Sequence, residues 1–342
     1  SSTHSVGRHA KSVIELARKS IAANLGCSAQ EILFTSGATE ANNWIIRSAI
    51  TDFKVARIIT TRIEHHAVLE AVEHLAHEFS IDVQFLDISS SGAVNITQLV
   101  SLLSENVPTL VTLMHVNNEV GTVLDLEKVG NICRQYNAYF HSDTVQSVGK
   151  TELNFHELPI DFAVASAHKF HGPKGVGFAY IRKGLVVNPM FFGGEQEKGM
   201  RPGTESVHNI AGMAKALELS YSHLADERSY ITGLKQYAVV ALSKDFGSVK
   251  VNGDQENGFY NILNVCLPMD EQKTIMILFH LDMKGIALSR GSACQSGSAK
   301  PSHVLAQMLT DDDIRKPSLR ISFSHYNTKD DVDALIDALQ AL

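Results

Sequence analysis

Lys169 directly follows an apolar run and precedes a stretch rich in glycine and proline. Residues 160–165 are mostly apolar and predict a buried strand, and residues 172–175 predict a turn. A lysine just past a strand end in an α/β protein is either a solvated loop charge or a partly desolvated amine that can form a Schiff base. Lys169 alone leaves both interpretations open.

Polar side chains also cluster after three other predicted strands. Residues 64–66 read Glu-His-His, residues 117–119 read Asn-Asn-Glu, and residues 143–146 begin with Asp and end with Gln. In open α/β sheets, binding sites lie beyond the carboxyl ends of the strands. The polar clusters therefore predict a site along that edge of a sheet.

A turn of small residues precedes a predicted helix that begins near Thr39. Residues 31–35 predict a short strand, and Gly37 lies in the turn. A strand, a turn and a helix start in this order can present backbone N–H groups and the positive end of a helix dipole to an anion. The alternative is an ordinary helix start that is capped by the Thr39 hydroxyl.

These features together match the needs of pyridoxal phosphate (PLP). That cofactor requires an amine for its aldehyde, an anion for its ring nitrogen, a flat group over its ring and a cradle for its phosphate. The residues that supply them, in that order, are Lys169, Asp143, His65 and the turn at Thr39. Neither of the common nucleotide-binding glycine motifs occurs in the sequence. We therefore predict a PLP site.

Composition narrows the class of protein. The chain has 342 residues, 44% of them hydrophobic and 20% charged, with a net charge of −7. An acidic balance argues against nucleic acid as a partner, and no apolar run is long enough to span a membrane. The chain opens without a signal-peptide pattern, and its four cysteines contain no CxxC pair. We therefore expect a cytoplasmic protein.

Histidines raise the question of a metal site. His74 and His77 form an HxxH pair, with His66 earlier on the same predicted amphipathic helix over residues 67–79. No carboxylate or cysteine is spaced to complete a ligand set. The pattern therefore predicts a solvated helix face and no metal.

Alternating strands and helices predict an α/β fold with a mostly parallel central sheet flanked by helices on both faces. The predicted strands are 56–60, 83–86, 109–114, 138–142, 160–166 and 175–181, and the helices among them are 67–79, 96–104 and 126–136. The sequence after a helix over 207–224 predicts a smaller α+β domain, with strands at 261–268, 286–289 and 319–323 and helices at 271–281 and 329–342. We expect a large PLP-binding domain at 1–224 and a small domain at 225–342 that carries Cys294 and Arg320.

Seven motifs resemble those of the NifS/IscS-type cysteine desulfurases, which are class V aminotransferase-like enzymes of PLP fold type I. They are FTSGATEANN, MHVNNEVGTVLDL, HSDTVQSVGK, SAHKFHGPKGVGFAYIR, GGEQEKGMRPGTESV, RGSACQSGS and LRISFSHYNT. They occur in the family's order with near-family spacing, and the resemblance runs from Ser1 to Leu342. It implies a homodimeric enzyme that takes sulfur from L-cysteine and leaves L-alanine.

The resemblance implies how the cofactor is held. Lys169 would form the Schiff base, Asp143 would pair with the ring nitrogen, and His65 would stack on the ring and assist proton transfer. The phosphate ligands would be Ala38, Thr39, Ser166 and His168, with Thr204 reaching in from the other subunit. Gln146 and Asn118 would address the phenolic oxygen of the ring.

The resemblance also implies how the substrate is handled. Arg320, with Asn118, would bind the carboxylate of L-cysteine, because a planar guanidinium suits bidentate capture. Cys294 would accept the sulfur as a persulfide. Residues 289–302 are rich in glycine and serine and predict a mobile, solvated loop, which is the wrong place for a structural cysteine. Buried, inert thiols are expected at the other three cysteines, Cys27, Cys133 and Cys266.

The form of the Cys294 loop resembles the group tied to iron–sulfur cluster assembly and tRNA thiolation, so a sulfur-acceptor or scaffold protein is the expected partner. The family's N-terminal arm has no counterpart in this sequence, which leads us to expect a truncated chain. His325 stands where many relatives have arginine. The alternatives are a selenocysteine lyase or cysteine sulfinate desulfinase on the same scaffold, and a non-catalytic sulfur-relay protein.

Overall fold

The computed structural model describes residues 3–290 and 302–342, without the side chains of residues 271–275. The expected sulfur acceptor, Cys294, therefore lies outside the described residues. The chain divides into two compact units. Unit 1 consists of Ser1–Leu86, Ile96–His115 and Leu124–Leu224, and unit 2 consists of Asp87–Asn95, Val116–Val123 and Ala225–Leu342.

Unit 1 is built on a seven-stranded sheet with the strand order β1-β7-β6-β5-β4-β2-β3. Its strands are β1 (Ile32–Thr35), β2 (Arg57–Thr60), β3 (Asp82–Phe85), β4 (Thr109–Thr112), β5 (Tyr139–Asp143), β6 (Phe162–Ser166) and β7 (Gly177–Ile181). The pairs from β3 through β2, β4 and β5 to β6 are parallel, whereas β7 is antiparallel to both β6 and β1.

The helices of unit 1 are α1 (Ser5–Asn24), α2 (Ala38–Thr51), α3 (His66–Phe79), α4 (Ile96–Leu103), α5 (Leu126–Gln135) and α6 (Val207–Ser222). Three 3-10 helices span Ala29–Glu31, Ala167–Phe170 and Gln196–Gly199. Strands β6 and β7 are buried along their whole length, which fits their nearly continuous apolar sequence. The largest buried side chain here is Trp44 of α2, which packs with Phe162 and Val164 of β6.

Unit 2 contains a three-stranded antiparallel sheet with the order β10-β9-β8. Its elements are α7 (Leu224–Phe246), β8 (Lys250–Asn252), β9 (Ile262–Cys266), α8 (Glu271–Met283), α9 (His303–Met308), β10 (Ser318–Ser322) and α10 (Lys329–Gln340). A separate hydrophobic core lies between this sheet and its helices, with Leu263, Leu319 and Leu335 among its buried members. Unit 2 is therefore an α+β arrangement with a core of its own.

The predicted α/β class with a mostly parallel sheet is confirmed, and each strand predicted in the first 181 residues occurs within a few positions of its predicted bounds. Differences concentrate in unit 2. Helix α7 was not predicted, although Ile231, Leu234, Ala238 and Leu242 are buried at helical spacing. Residues 286–289 were predicted as a strand, but only Ser289 pairs, in one bridge to Arg320.

The domain division at residue 224 stays a prediction. The compact units differ from it because Asp87–Asn95 and Val116–Val123 group with the later part of the chain. Among the residues that the structure describes, no helix is both long and apolar enough to cross a membrane.

Candidate active site

Lys169 lies on a short 3-10 helix that continues directly from β6. The strand ends at Ser166, and the helix ends at His171, whose φ is +63°. The Gly172 N–H donates to the Ala167 carbonyl at 2.9 Å, and a Cβ at position 172 would lie 2.9 Å from the Ala167 Cβ. The turn is tight, and it presents the exposed side chains of His168 and Lys169 beyond the strand end.

The start of α2 meets the end of β6. The backbone N–H of Ala38 donates to Ser166 Oγ at 2.9 Å, and the preceding residue, Gly37, has φ +154°. A Cβ at Gly37 would lie 3.5 Å from that same Ser166 Oγ. Gly37 is the N-cap residue, and a glycine contributes no capping side chain of its own. The alternative in which Thr39 caps this helix is therefore wrong, since Thr39 lies inside its first turn.

Glycine at position 177 allows the start of β7 to lie close to the turn that precedes α2. A Cβ there would lie 2.3 Å from the Ala165 carbonyl oxygen and 2.8 Å from the Gly37 Cα. Real side chains do not tolerate such distances, so glycine is required where β7 starts beside the α2 turn. The start of β7 and the turn before α2 therefore lie directly beside each other, with Ser166 next to both.

Asp143, the last residue of β5, is buried, and each of its carboxylate oxygens accepts a hydrogen bond. Asn42 of α2 donates from Nδ2 to Asp143 Oδ2 at 3.0 Å, and the Val145 N–H donates to Asp143 Oδ1 at 3.0 Å. The polar Asn42 is fully buried in an otherwise apolar part of α2. Two hydrogen bonds therefore hold the carboxylate in one orientation at the strand end.

His65 is the N-cap residue of α3. Its Nδ1 accepts the backbone N–H of Ala67 at 3.0 Å, so the proton of the neutral ring resides on Nε2. The cap fixes both the orientation and the tautomer of the half-buried imidazole.

Glu64, directly before His65, is a buried carboxyl group that sequence reasoning did not single out for a role. Its Oε1 accepts the Met114 N–H at 2.8 Å. Burial raises its pKa well above the ordinary value, and the negative charge of Asp143 contributes in the same direction. The neutral form of the Glu64 carboxyl group is therefore favoured more than it would be at an exposed position.

Gln146 follows Asp143 by three residues, in a turn that continues to Lys150. Its Oε1 accepts a hydrogen bond from Lys150 Nζ at 3.3 Å. Both side chains are partly buried. Lys150 belongs to one of the matched motifs, but its role was not predicted.

The segment that carries Thr204 is anchored to unit 1 by two ion pairs. Arg18 of α1 binds Glu197 through two hydrogen bonds of 2.7 and 2.6 Å, and both side chains are buried. Arg201 binds Glu40 of α2 at 2.8 and 3.0 Å. Thr204 itself is exposed. Bidentate pairs of this kind fix a glycine-rich segment that forms only one 3-10 turn.

Arg320 and Asn118 lie together in unit 2. Arg320 is in the middle of β10, opposite Asn264 of β9, and its Nη1 donates to the Asn118 carbonyl at 3.0 Å. The next residue, Glu119, is fully buried and accepts a hydrogen bond from Ser302. The Asn118–Glu119 segment is thus part of the packing of unit 2.

Three of the four cysteines are described, and all three are free. Burial, with a smaller effect of Glu31, raises the pKa of Cys27 to about 12. Burial also raises the pKa of Cys133 and Cys266. At neutral pH these thiols stay protonated, which makes them poor nucleophiles.

The chemistry of unit 1 fits PLP. An amine, a buried carboxylate held by two donors and an imidazole of fixed tautomer lie at or just beyond the ends of the strands or at a helix start. A helix N-terminus that starts after a glycine and lies beside the Ser166 hydroxyl suits a phosphate. In the described ranges, no group of three or more His, Cys, Asp and Glu side chains could hold a metal ion.

Sequence reasoning missed three residues of this region, namely Asn42, Glu64 and Lys150. Asn42 could have been identified from the sequence, because a polar residue on the buried face of a helix requires a hydrogen-bond partner. Glu64 stands inside a polar cluster and Lys150 follows one by four positions, and only their burial distinguishes them from solvated charges.

Comparison with known proteins agrees with this geometry. The Aminotransferase class-V family matches residues 1–335. The cysteine desulfurase IscS of Dictyoglomus turgidum is 38% identical over 344 residues, covering 100% of this chain and 86% of the relative. A putative cysteine desulfurase IscS 1 of Bacillus subtilis is 40% identical, covering 97% of this chain and 87% of the relative.

A solved structure of a NifS-like protein superimposes with a TM-score of 0.90 at 36% identity, covering 99% of this chain and 91% of that one. The likeness in sequence and in structure extends along nearly the whole chain, and the predicted fold class is confirmed by it. The chain belongs to the class-V aminotransferase family of PLP-dependent enzymes and, within it, to the NifS/IscS-type cysteine desulfurases.

Proposed function

We propose that the chain is a PLP-dependent cysteine desulfurase that converts L-cysteine to L-alanine and passes the sulfur to an acceptor. The observation that carries this proposal is the meeting of α2 with the ends of β5 and β6. There Asn42 holds Asp143, and Ala38 is bonded to Ser166, three residues before Lys169. Membership of the family supports the same activity.

Most of the residues that would hold PLP come from several elements of unit 1. Lys169 is the candidate for the covalent attachment, Asp143 for the ring nitrogen and His65 for the ring face. The candidate ligands of the phosphate and the phenolic oxygen are Ala38, Thr39, Ser166, His168, Thr204, Gln146 and Asn118. When bound, PLP supplies an electron sink that stabilises negative charge at the substrate Cα.

The side chains of the chain itself then have defined tasks. Arg320 binds the substrate carboxylate through its fork of N–H groups, and its contact with the Asn118 carbonyl orients that fork. Lys169 takes the proton from Cα and can return one at the end of the reaction. His65, with its proton on Nε2 and its Nδ1 engaged by the helix cap, can donate to a leaving group.

Cys294 is the proposed sulfur acceptor. Its thiolate attacks the substrate sulfur, a new S–S bond forms and the Cβ–S bond breaks. The products are L-alanine and a persulfide on Cys294, so L-cysteine plus one thiol balances L-alanine plus one persulfide. The raised pKa of Cys27, Cys133 and Cys266 supports this choice, because none of those thiols is readily ionised.

We also propose a homodimer, in which Thr204 serves the partner's cofactor, and a protein partner that receives the sulfur, such as an iron–sulfur scaffold. The anchored, exposed segment around Thr204 supports the first part. The free thiols of the described cysteines support a reducing, cytoplasmic location.

Alanine and sulfide release from L-cysteine tests the activity. Purified protein reconstituted with PLP should release both in equal amounts in the presence of a reducing thiol, and Lys169→Ala should abolish the release. A protein that takes up no PLP would support a non-catalytic relay and would contradict the proposal.

Activity on selenocysteine distinguishes the proposed desulfurase from the nearest alternative, a selenocysteine lyase. Cys294→Ala should lose at least 100-fold in sulfide release from L-cysteine, because no acceptor remains, yet it should retain alanine formation from selenocysteine. Cys27→Ala is the matched control and should behave as the wild type. Equal activity of the Cys294 variant on both substrates would identify a lyase instead.

A further inference from the structure

Lys150 is a partly buried cation next to the proposed cofactor site. Its Nζ donates to Gln146 Oε1 at 3.3 Å, and within the described ranges it forms no ion pair. Removing the long side chain of a lysine from water without a countercharge is unfavourable. A partly buried lysine at this position is therefore unfavourable for stability, which suggests that it has a function.

The fold holds the Lys150 turn tightly against the helix of Lys169. Gly149 has φ +76°, and a Cβ there would lie 2.8 Å from the Cβ of Phe170, the neighbour of Lys169. Only glycine permits this approach. Helix α6 braces both turns, because the hydroxyl of Tyr221 donates to the Thr151 carbonyl at 3.3 Å and that of Ser220 donates to the Phe170 carbonyl at 3.5 Å.

The neighbouring charges that act on Lys150 and His168 are positive. Burial, followed by the positive charge of Lys169, lowers the pKa of Lys150 to about 8. His168 likewise has a lowered pKa, for which the causes are burial and then the charges of Lys169, Lys174 and Lys150. Coulomb repulsion acts equally on both partners, so a charge on Lys150 also disfavours a proton on Lys169.

The hydrogen bond has a chemical consequence for Gln146. A lysine ammonium can only donate, so it must face the amide oxygen and not the amide nitrogen. With its oxygen turned toward Lys150, the Gln146 side chain has its NH₂ group available as a donor to a ligand. An oxygen anion, such as the ionised phenolic oxygen of PLP, needs such a donor.

We propose that Lys150 is a positioning residue of the cofactor site, which aims the Gln146 amide as a donor and places a positive charge beside the short helix that carries Lys169. This inference rests on the proposed function, since it takes PLP as the ligand. It assigns to Lys150 no contact with substrate or cofactor.

Three substitutions separate the two effects. Lys150→Met removes both the donor and the charge, Lys150→Gln keeps a donor without the charge, and Lys150→Arg keeps both. Lys128→Met, which removes an exposed cation of helix α5, is the matched control. Each apoprotein is mixed with PLP, and the rate of recombination and the position of the visible absorbance band are followed from pH 6 to pH 9.

We expect Lys150→Met to recombine about ten-fold more slowly at pH 7, because loss of the neighbouring positive charge leaves a larger fraction of Lys169 protonated. Its absorbance band should also shift. Lys150→Gln should show the slower rate with the wild-type band, and Lys150→Arg should stay within about two-fold of the wild type by the same measure. The Lys128 variant should match the wild type.

A double-variant cycle tests the route through Gln146. If Lys150 acts on the band through Gln146, the shift caused by Lys150→Met should vanish in a Gln146→Leu background. The inference is overturned if Lys150→Met recombines at the wild-type rate with an unchanged band, or if Lys150→Arg is as slow as Lys150→Met. If Lys150→Met does not fold, the Gln and Arg variants decide by the same criteria.

Failure of the proposed function gives a different result. Wild-type protein that binds PLP with a visible band but releases no sulfide from L-cysteine would contradict the desulfurase proposal and leave the Lys150 series interpretable.

Discussion

Asp143 in unit 1 and Arg320 in unit 2 are both proposed site residues, but the fold places them in opposite ways. Asp143 ends a parallel strand, and a helix more than a hundred positions earlier holds it through Asn42. Arg320 lies in the middle of an antiparallel strand and is held by the carbonyl of Asn118. One carboxylate stands at the edge of a sheet, and one guanidinium projects from within a sheet.

The two residues are therefore proposed to contribute to catalysis in different ways, one by acting on the cofactor and the other by binding the substrate. A charge at the carboxyl end of parallel strands, oriented by side-chain hydrogen bonds, is preorganised to act on a bound cofactor. A long, flexible arginine on a strand provides a recognition group for a substrate anion. Variants in unit 1 should therefore reduce kcat, whereas variants at Arg320 should mainly raise KM.

The largest effect is expected at Asp143. Asp143→Ala should reduce kcat for alanine formation about 100- to 1,000-fold, since it removes a fixed charge beside the reacting centre. Steady-state kinetics with L-cysteine measures it. Asp161→Asn, which alters a carboxylate that accepts the Phe140 N–H just before β6, is the control and should retain most of the activity. Equal losses in both variants would contradict a special role for Asp143.

Arg320→Lys should have the next largest effect. Loss of a bidentate, charge-assisted contact costs about 1.5–3 kcal/mol, which corresponds to a rise in KM of roughly 10- to 100-fold. The visible band of the bound cofactor should not change. The control is Arg228→Lys, on an exposed arginine of unit 2. A fall in kcat without a change in KM would break the distinction between the two units.

A smaller effect is expected at Asn42, which supports Asp143 from a distance. Asn42→Ala should reduce kcat about ten-fold, because a buried hydrogen bond to a charged group contributes about 1.5 kcal/mol or more. The neighbouring Asn43→Ala is the control, since that side chain bonds to the Thr39 carbonyl of its own helix. If both variants keep full activity, Asp143 does not depend on its partner.

The smallest effect on turnover is expected at the described cysteines. Cys27→Ala should change sulfide release less than two-fold, because at pH 8 a thiol with a pKa of about 12 is ionised in only about one molecule in ten thousand. Alkylation of Cys27 should be slow at pH 8 and should accelerate as the pH rises, since the thiolate fraction increases. Rapid alkylation of native Cys27 at pH 8, detected by mass spectrometry, would show an accessible thiolate instead.

Much of unit 1 could be predicted from local sequence. Short apolar runs that end in polar residues indicate the strands and their carboxyl ends, and the parallel sheet brings those ends to one edge. Lys169, Asp143 and His65 were found in this way. Unit 2 was harder, because Ser289 forms one bridge where a strand was predicted and because α7 was overlooked.

The sequence by itself determined the family, the order of the strands along the chain and which side chains can do chemistry, because apolar periodicity and motif spacing are local properties. Only the tertiary structure determined which remote residues bond to or pack against those side chains. Asn42 bonds to Asp143 across 101 positions, Ala38 bonds to Ser166 across 128, and Gly149 brings Lys150 against the helix of Lys169. Such contacts depend on distances of a few ångströms between remote segments, and no local pattern encodes those distances.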